Sequence, residues 1–197
     1  VLLSLALLTT VLLTLYARNR LIAYTETAPV VMPAVVMTET DYAALAKRAE
    51  EFSSNLEQSK PITELVLSAD DINALIAHKS NPSDRVSEKI HISLKDDVLE
   101  AQVSLPLGES GLPLLSGRHF NATAGVRITM DGGVLIITAE SLTIKGRPFP
   151  EAIMALLRKE NLAKDAYRNP KTAASLSKID SVRIKDGLFT IKPRTDR

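Results

Sequence analysis

Residues 119–145, HFNATAGVRITMDGGVLIITAESLTIK, decide the fold class. Phe120, Ala122, Ala124, Val126, Ile128 and Met130 alternate with His119, Asn121, Thr123, Arg127 and Thr129. A period of two sends the two sets to opposite faces, so this strand has a dry side and a wet side. Asp131-Gly132-Gly133 tolerates positive φ and signals a tight hairpin. Residues 134–145 then return antiparallel. Twelve residues at about 3.3 Å each reach roughly 40 Å. A strand that long twists and curls around whatever covers its dry face.

Working outward, the same alternation recurs upstream. Ile90, Ile92 and Leu94 lie in 89–94, and Lys95-Asp96-Asp97 turns the chain. Leu99, Ala101, Val103 and Leu105 then alternate with Glu100, Gln102 and Ser104. Downstream, Lys145–Pro150 is a turn into a helix with Ile153, Leu156 and Leu157 on its apolar face. A second helical stretch is expected over 162–167, and Asn169-Pro170 caps a third ending near Leu176. Strands over 179–185 and 188–192 are joined by Asp186-Gly187. Near the start, Tyr42, Leu45, Ala49, Phe52 and Leu56 recur at steps of three and four, predicting an amphipathic helix over 41–57. Thr38 with Asp41, or Thr40, caps it. A short strand over 62–67 follows. Ser68 and Asp71 form a capping box, which explains Asp70 and Asp71 as carboxylates at a helix N-terminus without a metal. Strands cluster rather than alternating with helices. The fold class is therefore α+β: a curved antiparallel sheet, a meander plus a C-terminal hairpin, packed with helices.

Residues 1–16, VLLSLALLTTVLLTLY, carry no charge. Val1 is not an initiator Met, so the reading expects an earlier start, and a few more residues would bring the run to the roughly 20 that span a bilayer. Arg18 and Arg20 follow at headgroup depth, with Tyr16 and Tyr24 as interface residues. A cleaved signal peptide is the alternative, but no small-x-small cleavage site follows the run. The expected organisation is a transmembrane anchor over 1–24, a linker over 25–37 (TETAPVVMPAVVM), and one α+β domain over 38–197 whose first helix lies near the membrane. Arg18 and Arg20 taken alone place that domain in the cytoplasm. A short anchor ahead of one large domain is an export arrangement, and the expected location is a single-pass membrane protein with its domain extracytoplasmic.

Charge is unevenly spread. Residues 38–141 hold nine basic and sixteen acidic side chains, and residues 142–197 hold thirteen basic and six acidic, so the formal net charge of +1 is a cancellation. Either the two parts attract one another, or the basic end faces anionic lipid or a partner. Nucleic acid fits poorly, because beyond Phe149 the basic end has only Tyr167 and Phe189 for stacking. The absence of Cys excludes thiolate zinc sites, iron–sulfur clusters and thiol catalysis. There is no Walker A loop, H-E-x-x-H or G-x-G-x-x-G motif. Gly108-Glu109-Ser110-Gly111-Leu112 has Leu where a nucleophile elbow needs its second Gly. His78, His91 and His119 are not at metal-ligand spacing. The reading is non-enzymatic, with no cofactor and no metal.

The most distinctive loop is residues 105–121, LPLGESGLPLLSGRHFN. Its leucines either close one end of the sheet or form an apolar rim for lipid or a partner. Leu107, Leu112, Leu114 and Leu115 are the candidate contacts, with Arg118, Lys145 and Arg147 as candidate cations. Arg118 is expected either to pair with an acidic residue or to hold an anionic headgroup.

LVLSADDINALIA at 65–77, GRHFN at 117–121, SLTIKGRPFP at 141–150 and IDSVRIKDGLFTIKP at 179–193 together resemble bacterial single-anchor envelope proteins of the YpmS-like kind. More distantly, the long strands look like tubular lipid-binding modules. The first resemblance implies a structural scaffold and no catalytic residues; the second implies a groove for acyl chains. The functional expectation is a non-catalytic, membrane-anchored envelope domain that binds membrane lipid or a protein partner. The alternative is an accessory or scaffold subunit of a membrane protein complex.

Overall fold

The computed structural model describes residues 19, 22–79, 85–108 and 115–194. The element order is α1 (Glu39–Glu57), β1 (Leu65–Ser68), α2 (Ala69–Lys79), α3 (Val86–Lys89), β2 (Ile90–Lys95), β3 (Val98–Pro106), β4 (His119–Asp131), β5 (Val134–Ile144) and β6 (Arg147–Pro148). Then come α4 (Glu151–Leu157), a 3-10 helix (Lys164–Arg168), α5 (Pro170–Ser177), β7 (Ile179–Lys185) and β8 (Leu188–Pro193). The fold is α+β with antiparallel sheets. Among the described residues no helix is long and apolar enough to cross a membrane, and the run 1–16 lies outside them.

The meander forms one five-stranded sheet in the order β2-β3-β4-β5-β6. The C-terminal hairpin does not extend it. Instead β8 takes β1 as its second neighbour, giving a separate three-stranded sheet, β1-β8-β7, with Leu65 opposite Ile191 and Leu67 opposite Phe189. Burial decides this. Leu65, Leu67, Val182 and Ile184 all fall on one face, and only a second layer covers them.

Two core clusters result. Leu45 of α1, Leu65 and Leu67 of β1 and Ala74 of α2 form the first, with Tyr42, Ile72, Leu75 and Phe189 around them. Leu56, Ile179 and Val182 form the second, with Ile128, Met130 and Leu135 from the far ends of β4 and β5. The small sheet and α1 therefore fill the dry side of the β4–β5 hairpin near its turn. A bulge between Gly125 and Val126 shifts the β4–β5 register. Gly125 permits the close approach there: a Cβ would lie 2.6 Å from Ser141 Oγ.

Local signals read from the sequence set the helix ends. Thr38 Oγ1 accepts from the Asp41 N–H at 3.1 Å, so Thr38 is the cap of α1. Ser68 Oγ accepts from Asp71 N–H, and Asp71 Oδ2 accepts from Ser68 N–H. That reciprocal pair is the capping box, with Asp71 also 3.8 Å from Arg48. Asn169 Oδ1 accepts from Lys171 and Thr172 at the start of α5.

The uncovered edges of β2 and of the first part of β5 both meet asparagine amides. The buried side chain of Asn73, on α2, donates to the Ile92 carbonyl and accepts from the Ile92 N–H, both at 2.8 Å. It makes the bonds a further strand would make along β2. At β5, Asn161 accepts from Ile137 N–H at 3.1 Å and donates to the Leu135 carbonyl at 3.0 Å. The Tyr167 hydroxyl accepts from Leu135 N–H beside it. An unpaired edge invites another chain, and these side chains occupy it.

Candidate functional site

The sheet end formed by the close of β3, the start of β4, the close of β5 and β6 receives the segment that follows residue 22. Glu26 and His119 exchange backbone hydrogen bonds, 2.9 Å and 2.7 Å, as an isolated antiparallel bridge. Arg118 donates through Nε to Thr25 Oγ1, and through Nη2 to the carbonyls of Thr25 at 2.7 Å and Ile22 at 3.3 Å. Asn121 donates to Glu26 Oε2 at 2.6 Å and to the Ala28 carbonyl at 2.9 Å. Ser104 donates to Asn121 Oδ1 and accepts from Val30 N–H. Thr25, Ser104 and Asn121 are buried. Buried polar groups are costly unless paired, so this set fixes one position for residues 22–30.

Among the described residues Arg118 forms no ion pair with an acidic side chain. Its planar fork satisfies carbonyls of the chain's own N-terminal segment. Leu107 is half-buried and its N–H donates to the Arg118 carbonyl at 2.8 Å. Leu115 is buried at 6% exposure, on the core side of the two alternatives for the loop. Leu112 and Leu114 lie outside the described residues, as do Tyr16, Arg18 and Arg20. Tyr24 packs edge-on against Phe149, ring centres 5.6 Å apart. Lys145 and Arg147 are exposed beside the β5–β6 turn. The structure thus gathers Tyr24, Leu107, Leu115, Arg118, Lys145 and Arg147 at one end of the sheet, where the described chain begins. It makes that end a polar clamp on the chain itself.

Residues 27–38 have no helix or strand of their own, yet Met32 is buried, and Val35 and Met37 join the first core cluster. Val31 and Val36 project outward at 89% and 90% exposure.

A second feature escaped the sequence reading. Between α2, α3, the start of β3 and the small sheet lies an open, almost wholly apolar depression of about 500 Å³. Leu67, Ile72, Leu75, Val86, Leu99 and Phe189 line it. The periodicity marks Ile72, Leu75 and Leu99 as apolar and inward. Only the separation of the two sheets leaves them incompletely covered.

No group of three or more His, Asp or Glu side chains placed to hold a metal occurs among the described residues. His119 is half-buried, with Nδ1 buried and without a hydrogen-bond partner among the described residues, beside the Glu26 bridge. The ion pairs that shift a carboxyl are exposed and local. Arg158 hydrogen-bonds Glu151 and holds its carboxyl below the usual range, and Lys164 does the same for Glu160. No family model, curated protein or solved structure matches the chain.

Proposed function

We propose that the chain is a non-catalytic, membrane-anchored envelope domain that binds lipid, with the apolar depression taking an acyl chain. The depression carries this reading: its volume falls within the roughly 300–1,000 Å³ of small-molecule sites, and its lining offers almost no polar group. The uncharged run 1–16 supplies the tether, and the clamp around Arg118 and Asn121 fixes how the chain enters the domain. The test is to extract the full chain in detergent, wash it extensively, and analyse retained lipid by native mass spectrometry. Val86→Trp fills the depression from α3, and the expected result is loss of retained lipid with an unchanged melting transition. A lipid-free parent chain, or lipid retention indifferent to Val86→Trp, refutes the reading.

The alternative, an accessory or scaffold subunit, draws on Val31 and Val36. Two valines about nine-tenths exposed on an extended segment suit burial against a partner chain. A photo-crosslinker at position 36 that captures only water in intact membranes removes that reading.

A further inference from the structure

The end of the molecule opposite the clamp carries a different kind of cleft. It lies between the C-terminus of α1 and the junction of α5 with β7, has a volume of about 460 Å³, and is lined by Ser59, Lys60, Ser177, Lys178 and Arg194. Leu56 and Ile62 supply apolar lining. No carboxylate lines it among the described residues. We propose that this cleft is a binding site for a phosphate group.

Three observations carry the proposal. First, Lys60 and Arg194 enter no ion pair among the described residues, although eight other salt bridges form there. Their side chains also make no hydrogen bond among the described residues, so fold stability does not explain their placement. Second, Lys178 Nζ donates to the carbonyls of Leu56 and Glu57 at 2.9 and 2.7 Å. Those carbonyls end α1 and carry the negative end of its dipole, which would otherwise repel an anion. The ammonium offsets them and keeps a third proton for a ligand. Third, the cleft mixes cations and hydroxyls with apolar carbon. A phosphate has several acceptor oxygens for the first, and charge-assisted bonds to it are the strong kind.

The phosphate has two possible sources, a phospholipid headgroup or a soluble phosphate compound. The guanidinium of Arg194 lies over Gly133, at the β4–β5 turn. β4 has thirteen residues, so this turn is roughly 40 Å from the Arg118 clamp. A tether at the clamp end keeps the cleft away from the bilayer that holds it, which favours the soluble source.

The test uses the full chain in nonionic detergent, followed by amide chemical shifts. One arm titrates inorganic phosphate; the other adds the chain to vesicles of phosphatidylglycerol, with phosphatidylcholine as the comparison. Expected are shifts at Ser59, Lys60, Ser177 and Arg194, and an affinity lowered about tenfold or more by Lys60→Ala with Arg194→Ala, since each tenfold equals about 1.4 kcal/mol. Arg183→Ala with Lys185→Ala, on the exposed face of β7, keeps the affinity. Shifts with phosphate assign the soluble source, and shifts only with phosphatidylglycerol assign the headgroup; either supports the site. No shift with either probe overturns it. So does binding that survives the Lys60/Arg194 pair, or that falls equally with the Arg183/Lys185 pair.

Discussion

Replacing Asn73 by Ala tests whether one amide stands in for a missing strand. The side chain is 3% exposed and makes two 2.8 Å bonds to the backbone of Ile92, itself 7% exposed. Helix propensity alone favours Ala by up to about 0.7 kcal/mol. Against that stand two hydrogen bonds at about 1 kcal/mol net each, and a donor and an acceptor left buried without partners at about 1–3 kcal/mol apiece. These overlap, because the penalty for the orphaned groups already includes the lost bonds. A net loss of about 3 kcal/mol is expected. For a chain of this length each kcal/mol moves the midpoint by about 2–4 °C, so the shift is about 6–12 °C downward. Urea unfolding measures the loss directly, with the slope unchanged if the native sheet persists. Hydrogen exchange adds a local readout, in which the Ile92 amide loses protection while Ala101 on β3 keeps it. A gain in stability, or a loss below about 1 kcal/mol, would show that water replaces the amide and that β2 needs no partner there.

Arg118→Met removes three bonds to Ile22 and Thr25, and exchange or limited proteolysis should open at residues 22–30 while β4 stays protected. Ser68→Ala breaks the capping box of α2 and should cost about 1 kcal/mol in chemical denaturation. The Glu151 carboxyl is held below its usual range by Arg158, so any stabilisation is present above that range and is lost as pH falls through the folded value. Both groups are fully exposed, and solvent screens the pair. Glu151→Gln should leave the melting curve in place from neutral pH to mild acid, and a clear drop at neutral pH alone would show the pair to be stronger than its exposure allows.

Periodicity and turn chemistry made most elements readable. The alternation through Phe120–Met130, the Asp-Gly-Gly and Asp-Gly turns and the Ser68/Asp71 box each rest on residues within a few positions of one another. Pairing partners were not readable in the same way. A period of two tells which face a residue takes and says nothing of the neighbouring strand. The β1–β8 ladder joins residues such as Leu65 and Ile191, far apart in the chain. Hence one sheet with an added hairpin was expected where two sheets stand. Arg118 was noticed for its charge, but two of its three bonds go to backbone carbonyls, which every sequence offers everywhere. Lys60 and Arg194 were hidden similarly: each is one cation among many, and only the fold brings them beside Lys178.

The asparagine plugs also narrow where a partner can engage. Strand addition needs a run of free N–H and C=O groups along an edge. Asn73 occupies the middle of the β2 edge, while Asn161 and Tyr167 occupy β5 where β6 no longer covers it. A partner that added a strand at either place would first have to displace hydrogen-bonded amides, giving up there what it gained. Recognition by the five-stranded sheet is thereby turned from its edges to side chains. The side chains open to a ligand elsewhere are segregated: apolar ones lie between the sheets beside α2, and cations gather at the end of α1. Between them runs the small sheet, whose β8 has Phe189 lining the apolar depression and Pro193 lining the cationic cleft. At about 3.3 Å per residue the two linings are some 13 Å apart along that strand. A single strand thus links both proposed sites, and displacing β8 from β1 would disturb them together.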